Sequence, residues 1–247
     1  MVKTSLVLVI LGCALATHAA EPMRTPVLLE LFTSEGCSSC PPADRLLQTL
    51  DKTQPVAGAD LIVLSEHVDY WDQLGWKDRF SSAEYTDRQK QYSNVFHIDS
   101  IYTPQLVVDG KKEVVGNDSA AARAAIQEAL KSPKEELTLS TPVRDGDHLN
   151  VKVDLPAGSG SGVLYVALAE NFMQTEVKRG ENAGRSLSHV GVLRKLIKVG
   201  TVKKDEAFSK EVQVPVGADM GAQGLRVVAF LQDSRNARVL AAAQQKL

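Results

Sequence analysis

Cys37 and Cys40, with Ser38-Ser39 between them, are the residues whose type and spacing point most directly to chemistry. They follow a mostly apolar run, Val27 to Phe32, and the turn Thr33-Ser34-Glu35-Gly36; they precede Pro41-Pro42 and leucines at helical spacing, Leu46, Leu47 and Leu50. The order strand, tight turn, Cys-x-x-Cys, helix sets Cys37 at or just before a helix N-terminus. Unpaired backbone N–H groups and the helix dipole favour an anion there, so a thiolate at that end is stabilised and nucleophilic. Cys40, one turn further on, is placed to attack a mixed disulfide formed at Cys37. The expected chemistry is thiol–disulfide exchange.

Other uses of the pair stay open. A structural disulfide here would close so small a loop that it removes only about 2 kcal/mol of unfolded-state entropy. Structural zinc wants four ligands, yet the sequence has no second Cys pair, and His67, His97, His148 and His189 show no ligand spacing to this one.

Several residues are candidates to support the pair. Glu30, a carboxylate inside the apolar run, is a candidate acceptor for the proton of the resolving thiol; a buried salt bridge to a Lys or Arg is the competing reading. Both tryptophans, Trp71 and Trp76, fall within Tyr70-Trp71-Asp72-Gln73-Leu74-Gly75-Trp76. They either line a cleft for a peptide or small ligand or plug the seam between a helix and the sheet. His67 and Asp69 follow a strand's C-terminal end, where α/β sheets place functional groups, and a His–Asp hydrogen bond orienting the loop is the plainer role. Residues 178–186 invite comparison with a phosphate-binding loop and fail it: three residues separate the glycines, and Arg185 stands where a Lys is needed. The stretch reads as an ordered hairpin loop, where Arg185, His189 and Arg194 would together offer a site to an anion or acidic partner.

The elements that must hold these residues can be read along the chain. Leu61 to Ser65 is a second apolar strand, and Ser81-Ser82-Ala83-Glu84 reads as a capping box opening a helix with Tyr85, Gln89, Tyr92 and Phe96 on one face. Thr103-Pro104 leads into a short strand, Gln105 to Val108; Asp109-Gly110 turns it into Glu113-Val114-Val115, and Asp118 or Ser119 caps an Ala-rich helix. Beyond Ser132-Pro133 the pattern changes to period-2 runs, at 137–139, 151–155, 163–169, 212–214, 225–231 and 239–242, separated by turn clusters. The expectation is an α/β domain over 24–133 with an inserted helical segment, then an all-β sandwich over 134–247.

Composition bounds the function. The 247 residues carry 28 Lys+Arg against 30 Asp+Glu, a formal net charge of −2, which argues against a protein working by phosphate neutralisation and so against nucleic-acid partners. Past the N-terminus no apolar stretch approaches membrane-spanning length, so no integral membrane segment is expected in the mature chain. Lys3, the apolar Leu6–Ala16 run and Thr17-His18-Ala19 read as a secretory signal peptide over 1–19, cleaved after Ala19, which implies an exported, periplasmic protein. The rival reading is a lipoprotein anchored through Cys13. Cleavage discards Cys13 and leaves one Cys pair in an oxidising compartment.

The stretch from Leu31 to Arg45 (Leu-Phe-Thr-Ser-Glu-Gly-Cys-Ser-Ser-Cys-Pro-Pro-Ala-Asp-Arg) is similar to a secreted bacterial family known as domain of unknown function 1223. His67-Val68-Asp69-Tyr70-Trp71-Asp72, Leu74-Gly75-Trp76-Lys77-Asp78 and Tyr102-Thr103-Pro104-Gln105 fit the same family, so the likeness covers most of the mature chain. More broadly, residues 27–130 resemble the thioredoxin superfamily. That resemblance implies a thioredoxin-like fold, a cis Thr103–Pro104 bond with Thr103 beside an extended substrate, and Glu30 in the place of the acid near the buried Cys. It leaves room for a Cys pair that is only a resting disulfide. Ser38-Ser39 and Pro41-Pro42 depart from ordinary thioredoxins, which carry Gly-Pro between the cysteines and a basic residue after them. The reading is thus a thiol–disulfide oxidoreductase needing no cofactor and no metal, with Cys37, Cys40, Glu30 and Pro104 in the chemistry. Thr103, Trp71, Trp76, His67 and Asp69 would border the substrate, a thiol or disulfide in a protein or small molecule, and a redox partner would recycle the pair. The alternative is a non-catalytic binding module for a metal, a small ligand or an envelope protein.

Overall fold

The computed structural model describes residues 24–221 and 224–247. The signal peptide and Cys13 expected from the sequence lie outside them. Elements alternate at first: β1 (Thr25–Thr33), α1 (Pro41–Thr53), β2 (Ala59–His67), α2 (Ala83–Phe96), β3 (Gln105–Val108), β4 (Lys112–Val115) and α3 (Ser119–Ala129). Strands alone follow: β5 (Thr138–Leu139), β6 (Val143–Asp145), β7 (His148–Leu155), β8 (Gly162–Glu176), β9 (Ser186–Val202), β10 (Phe208–Pro215), β11 (Leu225–Gln232) and β12 (Val239–Lys246).

The fold is mixed α/β, with few helices on one large mixed sheet of order β12-β11-β8-β9-β2-β1-β3-β4. β1 runs parallel to β2 and antiparallel to β3, and β3 pairs antiparallel with β4 across the Asp109-Gly110 turn. Alternation along β1 and β2 sorts their side chains between two faces. Val27, Leu29, Leu31, Leu61 and Val63 pack against Ala43, Leu47 and Leu50 of α1 and Ile126 of α3. Leu28, Ile62 and Leu64 point the other way, toward Tyr85 of α2, and Phe32 packs with Tyr92. The Ser82 hydroxyl caps α2 by accepting from the Glu84 N–H, and the Asp118 carboxylate caps α3 by accepting from the Ala121 N–H.

A smaller sheet, β10-β7-β5 with β6 on β7, packs Leu149, Val151, Val153 and Val214 against Leu164, Val166, Leu168, Val227 and Ala229 of the large sheet. The strands after residue 134 lie in two facing layers, and one of those layers is continuous with β1 and β2 rather than belonging to a separate sandwich. The joint is β9, for which the sequence raised no expectation. It pairs antiparallel with β8 and meets β2 in parallel at Ser65 and Val192. Gly191, in the left-handed region at φ 58°, makes the joint fit: a Cβ there would lie 2.4 Å from the Val63 carbonyl oxygen.

Candidate functional site

β1 ends at Thr33, and the chain turns through Ser34, Glu35 and Gly36 into the Cys pair. The Cys37 N–H donates to the Ser34 carbonyl (3.2 Å), the Cys40 N–H to the Cys37 carbonyl (3.2 Å), and the Ala43 N–H to the Cys40 carbonyl (2.8 Å). Cys40 is thus the N-cap residue of α1, with Pro41 supplying a first helical position that needs no N–H. Cys37 lies in the turn before it, and the two form a disulfide. Ser38 and Ser39 between them face solvent, whereas both cysteines are 0% exposed.

The cover comes from the β8–β9 hairpin tip. Asn182, itself buried, donates through Nδ2 to the carbonyls of Glu35 and Cys37, at 2.9 Å each. Glu181 accepts from the Ser38 N–H at 3.1 Å, and its hydrogen bonds from Ser38 hold its carboxyl below the usual carboxylate range. Gly180 approaches so closely that a Cβ would sit 3.1 Å from Trp76 Cβ. Trp71 stands over Gly36, where a Cβ would again be 3.1 Å away, and its indole N–H donates to Thr103 Oγ1 at 2.8 Å. Ser39 Oγ reaches the Thr103 carbonyl at 3.5 Å, and the Thr103–Pro104 bond is cis. Of the residues singled out in the sequence, Cys37, Cys40, Trp71, Trp76, Thr103 and Pro104 are therefore gathered around one turn.

Ionisable groups lie beneath it. His67 Nδ1 pairs with Asp78 Oδ2 at 2.6 Å, and the same oxygen accepts from the Glu35 N–H at 2.8 Å. Burial acts to lower the His67 pKa, but the Asp78 carboxylate, with Asp44 and Glu35 beyond it, outweighs burial and raises it. Burial likewise acts to raise Asp78, and the facing imidazole prevails and lowers it. Trp76 donates to Glu35 Oε2 at 2.7 Å, and the Thr33 hydroxyl to Asp44 Oδ1 at 3.0 Å. His189 stands edge-on to His67, ring centres 4.7 Å apart. Glu35, Asp44, Asp78, His189 and Asn182 were not singled out as parts of a redox site. The available signal was acid residues flanking the Cys pair, at 35 and 44.

Two supporting roles change. Glu30 sits on the sheet face opposite α1, because alternation turns Leu29 and Leu31 toward α1 and Glu30 toward α2. There it is ion-paired with Arg88, which donates through Nε at 2.6 Å, and it accepts from the Tyr92 hydroxyl. The buried salt bridge is the role it fills. His67 bonds Asp78, not Asp69, since the chain bends after β2 and Asp69 accepts from the Thr86 hydroxyl of α2 at 2.6 Å. Nor do Arg185, His189 and Arg194 form an anion site: Arg185 holds Asn182, His189 is buried, and Arg194 pairs with Glu170 and Asp219.

A family model described as protein of unknown function (DUF1223) matches residues 28–232, a span holding every group just named. The chain belongs to this DUF1223 family. No curated protein matches it. The crystal structure of protein AGR_C_4864 from Agrobacterium tumefaciens is similar over 90% of this chain and 95% of that one, at 27% identity and a TM-score of 0.70. HBP35 of Porphyromonas gingivalis shares the fold at 13% identity and a TM-score of 0.63, over 91% of this chain and 76% of its own. In this DUF1223 member the arrangement offers a disulfide at a helix start, a covering loop and a buried set of ionisable groups. Among the described residues no three His, Cys, Asp or Glu side chains are placed to hold a metal ion, and no helix is long and apolar enough to cross a membrane.

Proposed function

We propose that this protein is an exported thiol–disulfide oxidoreductase built on a thioredoxin-like arrangement of residues 24–133. The supporting observation is the Cys37–Cys40 disulfide in the turn that opens α1, bordered by Thr103-Pro104. Cys37 takes the attack of an incoming thiolate, and Cys40 leaves and later resolves. Thr103, Pro104, Trp71 and Trp76 border the approach, while His67 positions the loop through Asp78 and Asp69 ties it to α2. The strands after 134 supply the hairpin tip that covers the pair, and exchange requires Asn182 to lift from the carbonyls of Glu35 and Cys37. A thiol-bearing partner recycles the pair in the periplasm.

The complete burial of both cysteines favours a second reading, in which the disulfide clamps the turn of a non-catalytic binding module. Alkylation mass spectrometry across a glutathione redox titration separates the two. Exchange predicts reversible two-electron titration at a potential typical of periplasmic exchangers, lost in Cys37→Ser; a pair still oxidised below about −300 mV is structural.

A further inference from the structure

His189 lies under the Cys turn with no task in the exchange reading. Its Nδ1 is 3.6 Å from Asp44 Oδ1 and its Nε2 is 3.8 Å from Glu35 Oε1, both beyond hydrogen-bond length. Glu35 precedes Cys37 by two residues and Asp44 follows Cys40 by four, so acids flanking the pair on both sides meet on one imidazole. Five buried polar atoms there have no hydrogen-bond partner: Glu35 Oε1, Asp44 Oδ2, His67 Nε2 and both ring nitrogens of His189. Each such atom costs about 1–3 kcal/mol, which packing alone gives no reason to retain. Metal ligation does not explain them either, since the donor atoms do not converge as ligands.

What a sealed disulfide lacks is a way to move protons without solvent. We propose that His189, acting through Asp44, holds the proton that Cys40 takes up when the disulfide opens, an inference that rests on the exchange reading above. Asp44 stands one turn after Cys40 on the buried side of α1, its N–H bonded to the Cys40 carbonyl. Side chains at that spacing are about 5–6 Å apart at Cβ. Thr33 anchors Oδ1 of the Asp44 carboxylate and leaves Oδ2 unpartnered.

The step balances as follows. A dithiol reductant, ionised at one sulfur, attacks Cys37 Sγ; a new S–S bond forms, the Cys37–Cys40 bond breaks, and its electron pair leaves on Cys40 Sγ. Asp44 passes that sulfur a proton drawn from the protonated imidazole, giving a Cys40 thiol and a neutral His189. The reductant's second sulfur, ionised in turn, attacks its partner sulfur on Cys37, releases a Cys37 thiolate and departs as an internal disulfide. Two electrons have moved from dithiol to protein. The dithiol's two protons go to solvent, and His189 stays neutral in the reduced protein until Cys40 gives its proton back on reoxidation. The groups facing His189 are Glu35 in the Cys turn, Asp44 on α1, His67 on β2 with Asp78 behind it, and Phe80, whose ring also meets the guanidinium groups of Arg79 and Arg194.

The test is reduction of the whole chain by dithiothreitol across a pH series, with thiols counted by alkylation mass spectrometry, in wild type, His189→Gln and Asp44→Asn. Both variants are expected to react about a hundredfold more slowly near neutral pH, the lower range of general acid assistance. They should also keep only the pH dependence of the reagent's own ionisation. The second measurement needs no variant: the ring ¹⁵N shifts of His189 should differ between the oxidised and reduced wild-type protein. Variant profiles that track wild type, or His189 shifts indifferent to the redox state, overturn the relay and leave exchange standing. A pair that dithiothreitol never reduces overturns both.

Discussion

Two buried ionic clusters flank the same pair of strands, and they are balanced differently. On the α2 face Arg88 joins Glu30, Tyr92 and Gln232 by hydrogen bonds, and its guanidinium lies over the rings of Tyr92, Tyr165 and Phe230. Glu66, beside them, lies 3.5 Å from Arg88 Nε and keeps both carboxylate oxygens without a hydrogen bond; burial and the neighbouring Glu30 charge push its carboxyl well above the usual carboxylate range. On the α1 face Glu35, Asp44 and His189 keep polar atoms unpartnered next to a disulfide. Glu66 and His67, neighbours on β2, go one to each cluster because a strand alternates its side chains. The first cluster is centred on a buried cation that its neighbours hydrogen-bond, and the second sets its open polar atoms beside the disulfide.

The largest expected effect breaks the α2 side. Arg88→Leu strands Glu30 without its cation and should cost about 3–5 kcal/mol in urea unfolding, the usual penalty for halving a buried pair. A loss below about 1 kcal/mol would mean that this cluster is not the anchor described here. Next comes the cover of the α1 side. Asn182→Ala leaves the carbonyls of Glu35 and Cys37 without its amide, with an expected loss of about 1–3 kcal/mol. Alkylation of the reduced protein should accelerate at Cys37, and an unchanged rate would show that the tip is not what seals it.

The gentlest perturbation is pH alone. Because Glu66 is raised in the folded state, the stability it contributes is complete below about pH 4.5 and is lost as pH rises through its folded value; Glu66→Gln should flatten that slope. The His67–Asp78 pair has two limbs. Raised His67 loses its contribution as pH climbs from 6.5 through its folded value, and lowered Asp78 loses its own as pH falls from 3.8 through its folded value. Thermal melts of His67→Gln across pH should lack the upper limb and show a weakened lower one, because the imidazole is the main group lowering Asp78; a retained upper limb assigns it to another group.

Much of the local structure was legible because local physics sets it. The apolar runs at 27–32 and 61–65 are β1 and β2, Ser82 and Asp118 cap helices, and Asp109-Gly110 turns a hairpin. β9 was not legible: Gly191 interrupts its alternation, and that glycine is explained only by the Val63 carbonyl pressed against it. The site divides likewise. Cys37, Cys40 and Pro104 announce themselves by type and spacing, while Asn182 and His189 reach the pair from β9 and its hairpin, Asn182 lying 145 residues beyond Cys37, with no periodic signal to link them.

Residue type and order alone determined that a Cys-x-x-Cys would open a helix after a buried strand, since turn, proline and leucine spacing act within a few residues. Which carboxylates attend the pair was a tertiary decision. One residue of alternation carries Glu30 away to Arg88, and one strand inserted beside β2 brings His189 in. Faces and neighbours are properties of the sheet, and only the assembled sheet could assign them.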